Sequence, residues 1–171
     1  ARMNEDVEVV HYAITAMVEL SKEYDYRLQK IEKKYTNDPD DPVILEEYCD
    51  FLKEYLSQGF MEKQMEQIYR NQYTQLLLKQ LEQKVNLHTC VCLMENLMVQ
   101  RDFFLAEKIL KIMDQNWHRG EEYWICKIRY LAERKMGKEL KQSLQALKEE
   151  HIYLSSRGKE ALGFWLNGSK K

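Results

Sequence analysis

Two adjacent stretches of equal pattern decide the fold: residues 87–120 read LHTCVCLMENLMVQRDFFLAEKILKIMDQNWHRG and residues 121–153 read EEYWICKIRYLAERKMGKELKQSLQALKEEHIY. Apolar positions of the first stretch recur 34 residues later in the second. The matched positions are Cys90 with Trp124, Met94 with Ile128, Leu97 with Leu131, Ala106 with Leu140, Leu110 with Leu144, and Met113 with Leu147. In each stretch a tight polar break separates two apolar-periodic segments. A 34-residue helix–turn–helix period is the signature of tetratricopeptide repeats, so we predict tetratricopeptide-like helical hairpins, although the consensus Gly is absent from both first helices.

The composition of the whole chain indicates an all-α fold. The 171 residues include 6 Gly and 2 Pro, whereas a sheet protein of this length needs many Gly- and Pro-rich turns. An aromatic content of 11% argues against disorder. The 26 Lys and Arg against 28 Asp and Glu give a net charge of −2, which argues against a dedicated nucleic-acid binder. Because no run of 18 uncharged apolar residues exists, we predict no membrane span in this chain.

The rest of the chain extends the repeat array on both sides. Two prolines and several turn-forming residues between Asn37 and Pro42 end one helix and start the next near Pro42. Apolar spacing predicts further helices from Val43 to Ser57 and from Phe60 to about Lys84. We therefore predict a long helix over residues 1–36 and an array over residues 37–171, with about 2.5–3 hairpins at about 42–86, 87–120 and 121–153 and a capping helix at 155–167.

A heptad seam runs through the first 36 residues. Its apolar positions alternate in steps of three and four, with Ser21 as the one polar occupant: Val7, Val10, Ile14, Met17, Tyr24, Leu28, Ile31 and Tyr35. The pattern predicts one helix of about 30 residues. Two interpretations stay open: the seam packs on this chain, against residues 43–56 and the start of the following helix, or it pairs two copies as a coiled coil. Ser21 and the aromatic Tyr24 favour internal packing.

Residue types with catalytic or metal-binding chemistry are few and scattered. His88, Cys90 and Cys92 form the one concentrated set, but on a helix the two thiols point about 200° apart and cannot share an ion. We expect both thiols to pack in the core, and free thiols in apolar segments favour a reducing compartment. The sequence contains no Gly-rich phosphate loop, nucleophile elbow or HExxH helix. We therefore predict no catalytic residue, no cofactor and no metal, and hence no enzyme.

Stacked helical hairpins form a concave surface from the first helix of each repeat, and we predict a partner-binding groove there. Its positions are Leu45, Cys49, Leu52 and Lys53, then Val91, Glu95, Met98 and Val99, then Ile125, Arg129, Ala132 and Glu133. The row is mixed but fairly apolar, which is typical of a peptide or helix site. Two occupants stay open, because the chain's own long first helix could fill the groove and leave the partner surface elsewhere.

Two segments of the chain carry a family resemblance. The first runs from His11 to Asp25 and reads HYAITAMVELSKEYD, and the second runs from Ile152 to Lys159 and reads IYLSSRGK, with Phe164-Trp165 close behind. Both segments resemble the PelE family, the repeat-containing subunits of bacterial Pel exopolysaccharide assembly. The resemblance implies a cytoplasmic tetratricopeptide-repeat domain at the inner face of the cell membrane, whose N-terminal membrane anchor is missing here. It also implies protein partners: a cyclic-di-GMP-sensing membrane subunit, a glycosyltransferase and a membrane transporter. It carries over no functional residue.

Taken together, these patterns predict a protein–protein interaction scaffold that organises a membrane-associated exopolysaccharide synthase complex. The alternative is a regulatory repeat protein that captures a peptide or a partner helix in its concave groove. Self-association through the N-terminal helix is compatible with both. An RNA-processing repeat scaffold has similar helix spacing, but the near-neutral charge leaves contact with nucleic acid unsupported.

Overall fold

Eight helices make up the computed structural model, which describes residues 2–168. They are α1 Arg2–Asn37, α2 Pro42–Ser57, α3 Lys63–Gln83, α4 Leu87–Gln100, α5 Phe103–Trp117, α6 Glu121–Glu133, α7 Gly137–Glu149 and α8 Ser156–Gly168. The described residues contain no strand, so the predicted all-α fold is confirmed. None of these helices combines the length and the apolar character needed to cross a membrane.

Short-range side-chain capping explains where several helices begin. Asp41 accepts a hydrogen bond from the Val43 amide at 2.8 Å, directly before Pro42 at the first position of α2. Asn86 and Asp102 cap α4 and α5 in the same way. A side-chain oxygen at this position satisfies one of the unpaired amides of the first turn. The predicted start of α2 near Pro42 is confirmed, whereas the helix predicted from Phe60 begins three residues later, at Lys63.

The chain divides into two compact units, one ending at Gln83 and the other beginning at Lys84. The first unit joins α1 to α2 and α3, so the division lies after Gln83 and not after residue 36 as predicted. Within this unit α2 runs antiparallel to α1, because Lys34 pairs with Glu47 at 3.0 Å whereas the earlier Arg27 pairs with the later Glu54 at 3.6 Å.

Aromatic side chains form the centre of the first unit. The ring of Tyr24 stacks on Tyr55 at 5.1 Å between centroids, and the Arg27 guanidinium lies 4.9 Å from the ring of Phe51. Offset aromatic stacks of this kind stabilise beyond the area that they bury. The Tyr24 hydroxyl donates to Glu54 at 2.7 Å, which fixes the end of α2 beside the middle of α1. The predicted contact of the first helix with residues 43–56 is confirmed.

Only the C-terminal half of the heptad seam is covered. Tyr24, Leu28 and Ile31 are at most 7% exposed, whereas every residue from 2 to 20 is exposed. The reason is the length of α2, which ends at Ser57, two residues beyond the tyrosine that stacks on Tyr24. Internal packing, one of the two interpretations, therefore accounts for only the C-terminal half of the seam.

The second unit contains two helix pairs with the same turn geometry. The pairs α4–α5 and α6–α7 begin 34 residues apart, at Leu87 and Glu121. Arg101 and Lys135, also 34 apart, both adopt the left-handed backbone conformation, with φ of 58° and 54°. In each turn the amide of the next residue bonds back to a carbonyl five residues earlier at 3.0 Å. This is the Schellman closure of a helix end, made twice at equivalent positions.

Burial follows the same period. Of the twelve apolar positions matched at 34 residues, ten are buried and two, Leu140 and Leu144, are intermediate. Trp124 is 1% exposed and donates its indole N–H to the His118 carbonyl at 2.7 Å. The last helix, α8, packs on α6 through the fully buried Leu162. The predicted helix at 155–167 is thus present as α8.

Candidate partner-binding groove

A groove of about 700 Å³ lies in the second unit between α4, α6 and α8. The side chains around it are Val91, Met94, Glu95, Met98, Glu121, Glu122, Ile125, Cys126, Arg129, Ala132, Glu133, Lys135, Arg157, Ala161, Phe164 and Trp165. Apolar and charged groups are interleaved around this opening. Clefts of this size with an apolar lining and a few polar groups are the usual form of a binding site.

Helical periodicity explains why α4 and α6 each offer one face to the core and another to the groove. On α4, Val91, Glu95 and Met98 follow the i, i+4, i+7 spacing of a single face. The neighbouring Cys90 and Leu97 are fully buried. On α6 the groove face includes Ile125 and Arg129, while the core face carries residues such as the buried Trp124.

The third wall is α8, and a carboxylate from α6 holds its first turn in place. Glu121 accepts hydrogen bonds from the Ser155 amide at 2.7 Å and from the Ser155 hydroxyl at 2.8 Å. The Ser155 hydroxyl in turn accepts from the Gly158 amide at 3.1 Å, as an N-cap does. Glu121 therefore links the start of α6 to the cap of α8.

Gly158 leaves room for this link. It is buried, and a Cβ at this position would overlap Oε2 of Glu121 and lie 3.2 Å from its Cδ. Any larger residue would thus push the carboxylate away from Ser155. The close approach of α8 to α6 depends on the missing side chain.

Two aromatic residues of α8 give the groove its most exposed apolar surface. Phe164 is 84% exposed, and its ring stands edge-on to Trp165 with centroids 5.8 Å apart. An exposed phenylalanine beside a tryptophan at the rim of a groove is typical of a site for another molecule.

The groove carries both signs of charge. Four carboxylates, Glu95, Glu121, Glu122 and Glu133, face three cations, Arg129, Lys135 and Arg157. At the rim Glu133 lies 3.7 Å from the Arg101 guanidinium, and both side chains are more than half exposed. The groove can therefore pair with a surface that carries both charges around an apolar stripe.

Cys126 is the cysteine that lines the groove. Burial raises the pKa of its thiol to about 12, and the negative charge of Glu95 adds to the effect. Since the thiolate is the reactive form of cysteine, this shift lowers the reactivity of Cys126.

The groove brings together most of the residues predicted from the α4 and α6 segments. Those that line it are Val91, Glu95, Met98, Ile125, Arg129, Ala132 and Glu133. Val99 does not line it and is 59% exposed, because it follows Met98 by one residue and points about 100° away on the helix.

The predicted groove positions on α2 lie elsewhere. Leu45, Cys49 and Leu52 are at most 3% exposed, so the expectation that they line an open groove is wrong. The physical reason is that α2 contacts both α1 and α3, and its apolar side chains are used in the core of the first unit. Lys53, the fourth predicted position on α2, directly follows Leu52 and is exposed.

The sequence reasoning missed the contribution of α8. It treated the segment as a capping helix, yet of its apolar residues Ala161, Leu162, Phe164 and Trp165 only Leu162 is fully buried. A signal was present, because Phe164 and Trp165 are adjacent and adjacent helical residues point about 100° apart. Phe164 and Trp165 therefore cannot both point directly into a core on one side of α8.

The His88–Cys92 pair exists but gathers no further ligands. The Cys92 sulfur lies 3.6 Å from Nε2 of His88, while Cys90 is fully buried and its pKa rises to about 11 through burial. Across residues 2–168, no group of three or more His, Cys, Asp or Glu side chains is arranged to hold a metal ion. Comparison of the chain with protein-family models, curated proteins and solved structures finds no match.

Proposed function

We propose that this chain is a protein–protein interaction scaffold that holds a partner in the groove between α4, α6 and α8. The observation that carries the proposal is the exposed Phe164 beside the half-buried Trp165, next to an apolar row that runs through Met98 and Ile125. Aromatic residues are enriched among the side chains that supply most of the binding energy in protein interfaces. The mixed charges around this row suit an amphipathic helix or an extended segment of a partner protein.

The architecture that we propose for the second unit is a pair of tetratricopeptide-like repeats. The equal 34-residue offset of the helix pairs and the repeated left-handed turn support this assignment. So does the burial of Trp124 and Ala106, which occupy the large and small consensus positions. The first unit, with α2 and α3, is a lengthened relative of such a hairpin in this proposal.

We assign the scaffold to a Pel-type exopolysaccharide synthase complex, as its cytoplasmic repeat subunit. The support is the resemblance of two segments to the PelE family. One of them, Ile152 to Lys159, contains both Ser155 and Gly158, the two residues that hold α8 against α6. The proposed partners are a cyclic-di-GMP-sensing membrane subunit, a glycosyltransferase and a membrane transporter.

Pairwise binding to the cytoplasmic parts of these proteins tests the proposal. Phe164→Ala removes the exposed aromatic of the groove, and Phe104→Ala is the matched control, because Phe104 is 73% exposed on α5 and lies outside the groove. We expect Phe164→Ala to weaken the interaction at least tenfold and Phe104→Ala to leave it unchanged, with equal melting temperatures. Absence of binding to every one of the three partners would defeat the Pel assignment.

A regulatory protein that captures a free peptide is the second candidate. The position of Trp165 at the groove favours it, because an occupant would change the environment of the indole. Titration with amphipathic helical peptides of mixed charge, followed by tryptophan fluorescence, tests this directly. A saturable change that Phe164→Ala abolishes would support capture, whereas a flat titration would refute it.

A further inference from the structure

The N-terminal half of α1 presents an apolar row that no other part of the first unit covers. With Val7 and Ile14 at heptad position a, the row contains Met3, Val7, Val10, Ile14 and Met17, whose exposed fractions run from 55% to 78%. The opposite stripe is more polar and includes Glu5, Glu8, Thr15 and Glu19, beside the exposed Val9 and Tyr12. A helix that concentrates its apolar side chains on one face normally buries that face.

Near Ser21 the row passes from solvent into contact with α2. It is half-buried, and from Tyr24 onward the same row lies against α2 of the same chain. The two residues that disfavour a coiled coil, Ser21 and Tyr24, therefore lie at or beyond the end of the uncovered segment. The segment itself holds only aliphatic side chains and methionines in the row.

The path of α2 determines which way a partner helix can run. Because α2 is antiparallel to α1 and stops opposite Tyr24, a helix placed on the exposed row continues the line of α2. A parallel copy of α1 would run on past Tyr24 into the space that α2 occupies. An antiparallel copy whose Met17 faces Val7 ends there, because its residue 3 then lies level with Ser21.

Side-chain layers also fit the antiparallel arrangement. When Val7 faces Met17 of the other copy, Val10 faces Ile14, and a two-fold axis passes between these layers. Symmetric two-fold pairing is the commonest form of self-association.

We propose that the N-terminal half of α1 pairs two copies of this chain as an antiparallel helical dimer. Covering the exposed parts of the row and its flanks removes on the order of 500 Å² per copy, near the lower limit for a specific interface. The dimer is therefore weak, with a dissociation constant on the order of micromolar.

A lipid surface fits this segment less well than a second copy does. Between residues 2 and 22 there are four carboxylates and two cations: Glu5, Asp6, Glu8 and Glu19 against Arg2 and Lys22. Helices that lie on membranes are rich in Lys and Arg, because they are attracted to anionic lipid headgroups. The negative balance here opposes that attraction.

Sedimentation of the full chain over a concentration series from about 1 to 100 µM, a span centred on the expected affinity, tests the pairing. We expect the mass to rise from monomer to dimer. Ile14→Asp should weaken the dimer at least tenfold, and Thr15→Asp, which adds the same charge on the polar stripe, should not. Neither change should alter the melting of the packed core, because both residues are exposed. A monomer at every concentration would overturn the proposal, and so would equal effects of the two variants.

Oxidative cross-linking tests the direction, in a Cys126→Ser background because the other three cysteines are buried. Ala13→Cys lies beside the two-fold axis and should form a disulfide-linked dimer. Val7→Cys should not, because antiparallel pairing sets its two copies about 15 Å apart along the axis. The reverse result would refute the antiparallel arrangement. Flotation with phosphatidylglycerol vesicles without any dimer would show that lipid covers the row and would refute the pairing.

Discussion

Replacing Gly158 by alanine tests how α8 is held against α6. In an exposed helix the change would stabilise by about 1 kcal/mol, because Gly is a poor helix former. Here the new Cβ would overlap the carboxylate of Glu121, which must then leave Ser155. We therefore expect the opposite sign from the one that helix propensity predicts.

The magnitude follows from the two hydrogen bonds that Glu121 accepts. Each is a bond to a charged group, worth about 1.5–3 kcal/mol. Taking the lower value because the site is only half-buried, the loss is about 3 kcal/mol, and the propensity gain of about 1 kcal/mol offsets part of it. The net expectation is a destabilisation of about 2 kcal/mol, or roughly 10 °C in melting temperature for a unit of this size.

Thermal unfolding followed by circular dichroism measures this change. Gly163→Ala is the matched control on the same helix, because no atom lies within 4 Å of its added Cβ, and it should raise the melting temperature by a few degrees. In a Glu121→Ala background the Gly158→Ala change should cost nothing, since the obstructing carboxylate is gone. If Gly158→Ala stabilises as much as Gly163→Ala does, the role assigned to Glu121 is wrong.

Three further outcomes are expected. Ala106→Arg should unfold the second unit, because Ala106 is fully buried and an unpaired charge there costs about 3 kcal/mol or more. The control Ala161→Arg, at the half-buried groove wall, should still give a folded protein by circular dichroism. Hydrogen bonds that His118 donates to two carboxylates, first Asp114 and then Glu150, raise its pKa above 6.5, so its contribution to the melting temperature should be full below pH 6.5 and be lost as the pH rises through the folded-state pKa. His118→Asn should flatten this slope. Lys135→Gly should stabilise by roughly 0.5 kcal/mol in urea unfolding because Lys135 has φ of 54°, while Lys138→Gly inside α7 should destabilise by about 1 kcal/mol.

The ends of the helices could be predicted because their signals are local. Asp41 and Pro42 start α2, and Gly59, with φ of 71°, follows its end, as their types predict. The core faces of α4 and α6 could be predicted for the same reason, since apolar spacing alone fixes which side of a helix is buried. The groove residues on these two helices followed directly from that register.

The rest depended on contacts between distant residues. All heptad positions of α1 look equivalent in the sequence, and only the length of α2 decides that Ile31 is buried while Ile14 is exposed. Leu45 and Leu52 have the spacing of a groove face, but the third helix of their unit packs over α2 and leaves them no opening. The bond between Glu121 and Ser155 spans 34 residues, and no local pattern predicts it.

Although α1 is geometrically continuous, its backbone has two different free energies of opening. From Tyr24 onward its amides can exchange with solvent only when aromatic packing against α2 is broken. In the monomer, the amides before Ser21 are protected by the helix alone, and an isolated helix without tertiary packing is of marginal stability in water. Hydrogen exchange along α1 should therefore slow sharply between residues 21 and 24. The amide hydrogens of the first half of α1 can therefore exchange rapidly with solvent while the packed part of the first unit stays folded.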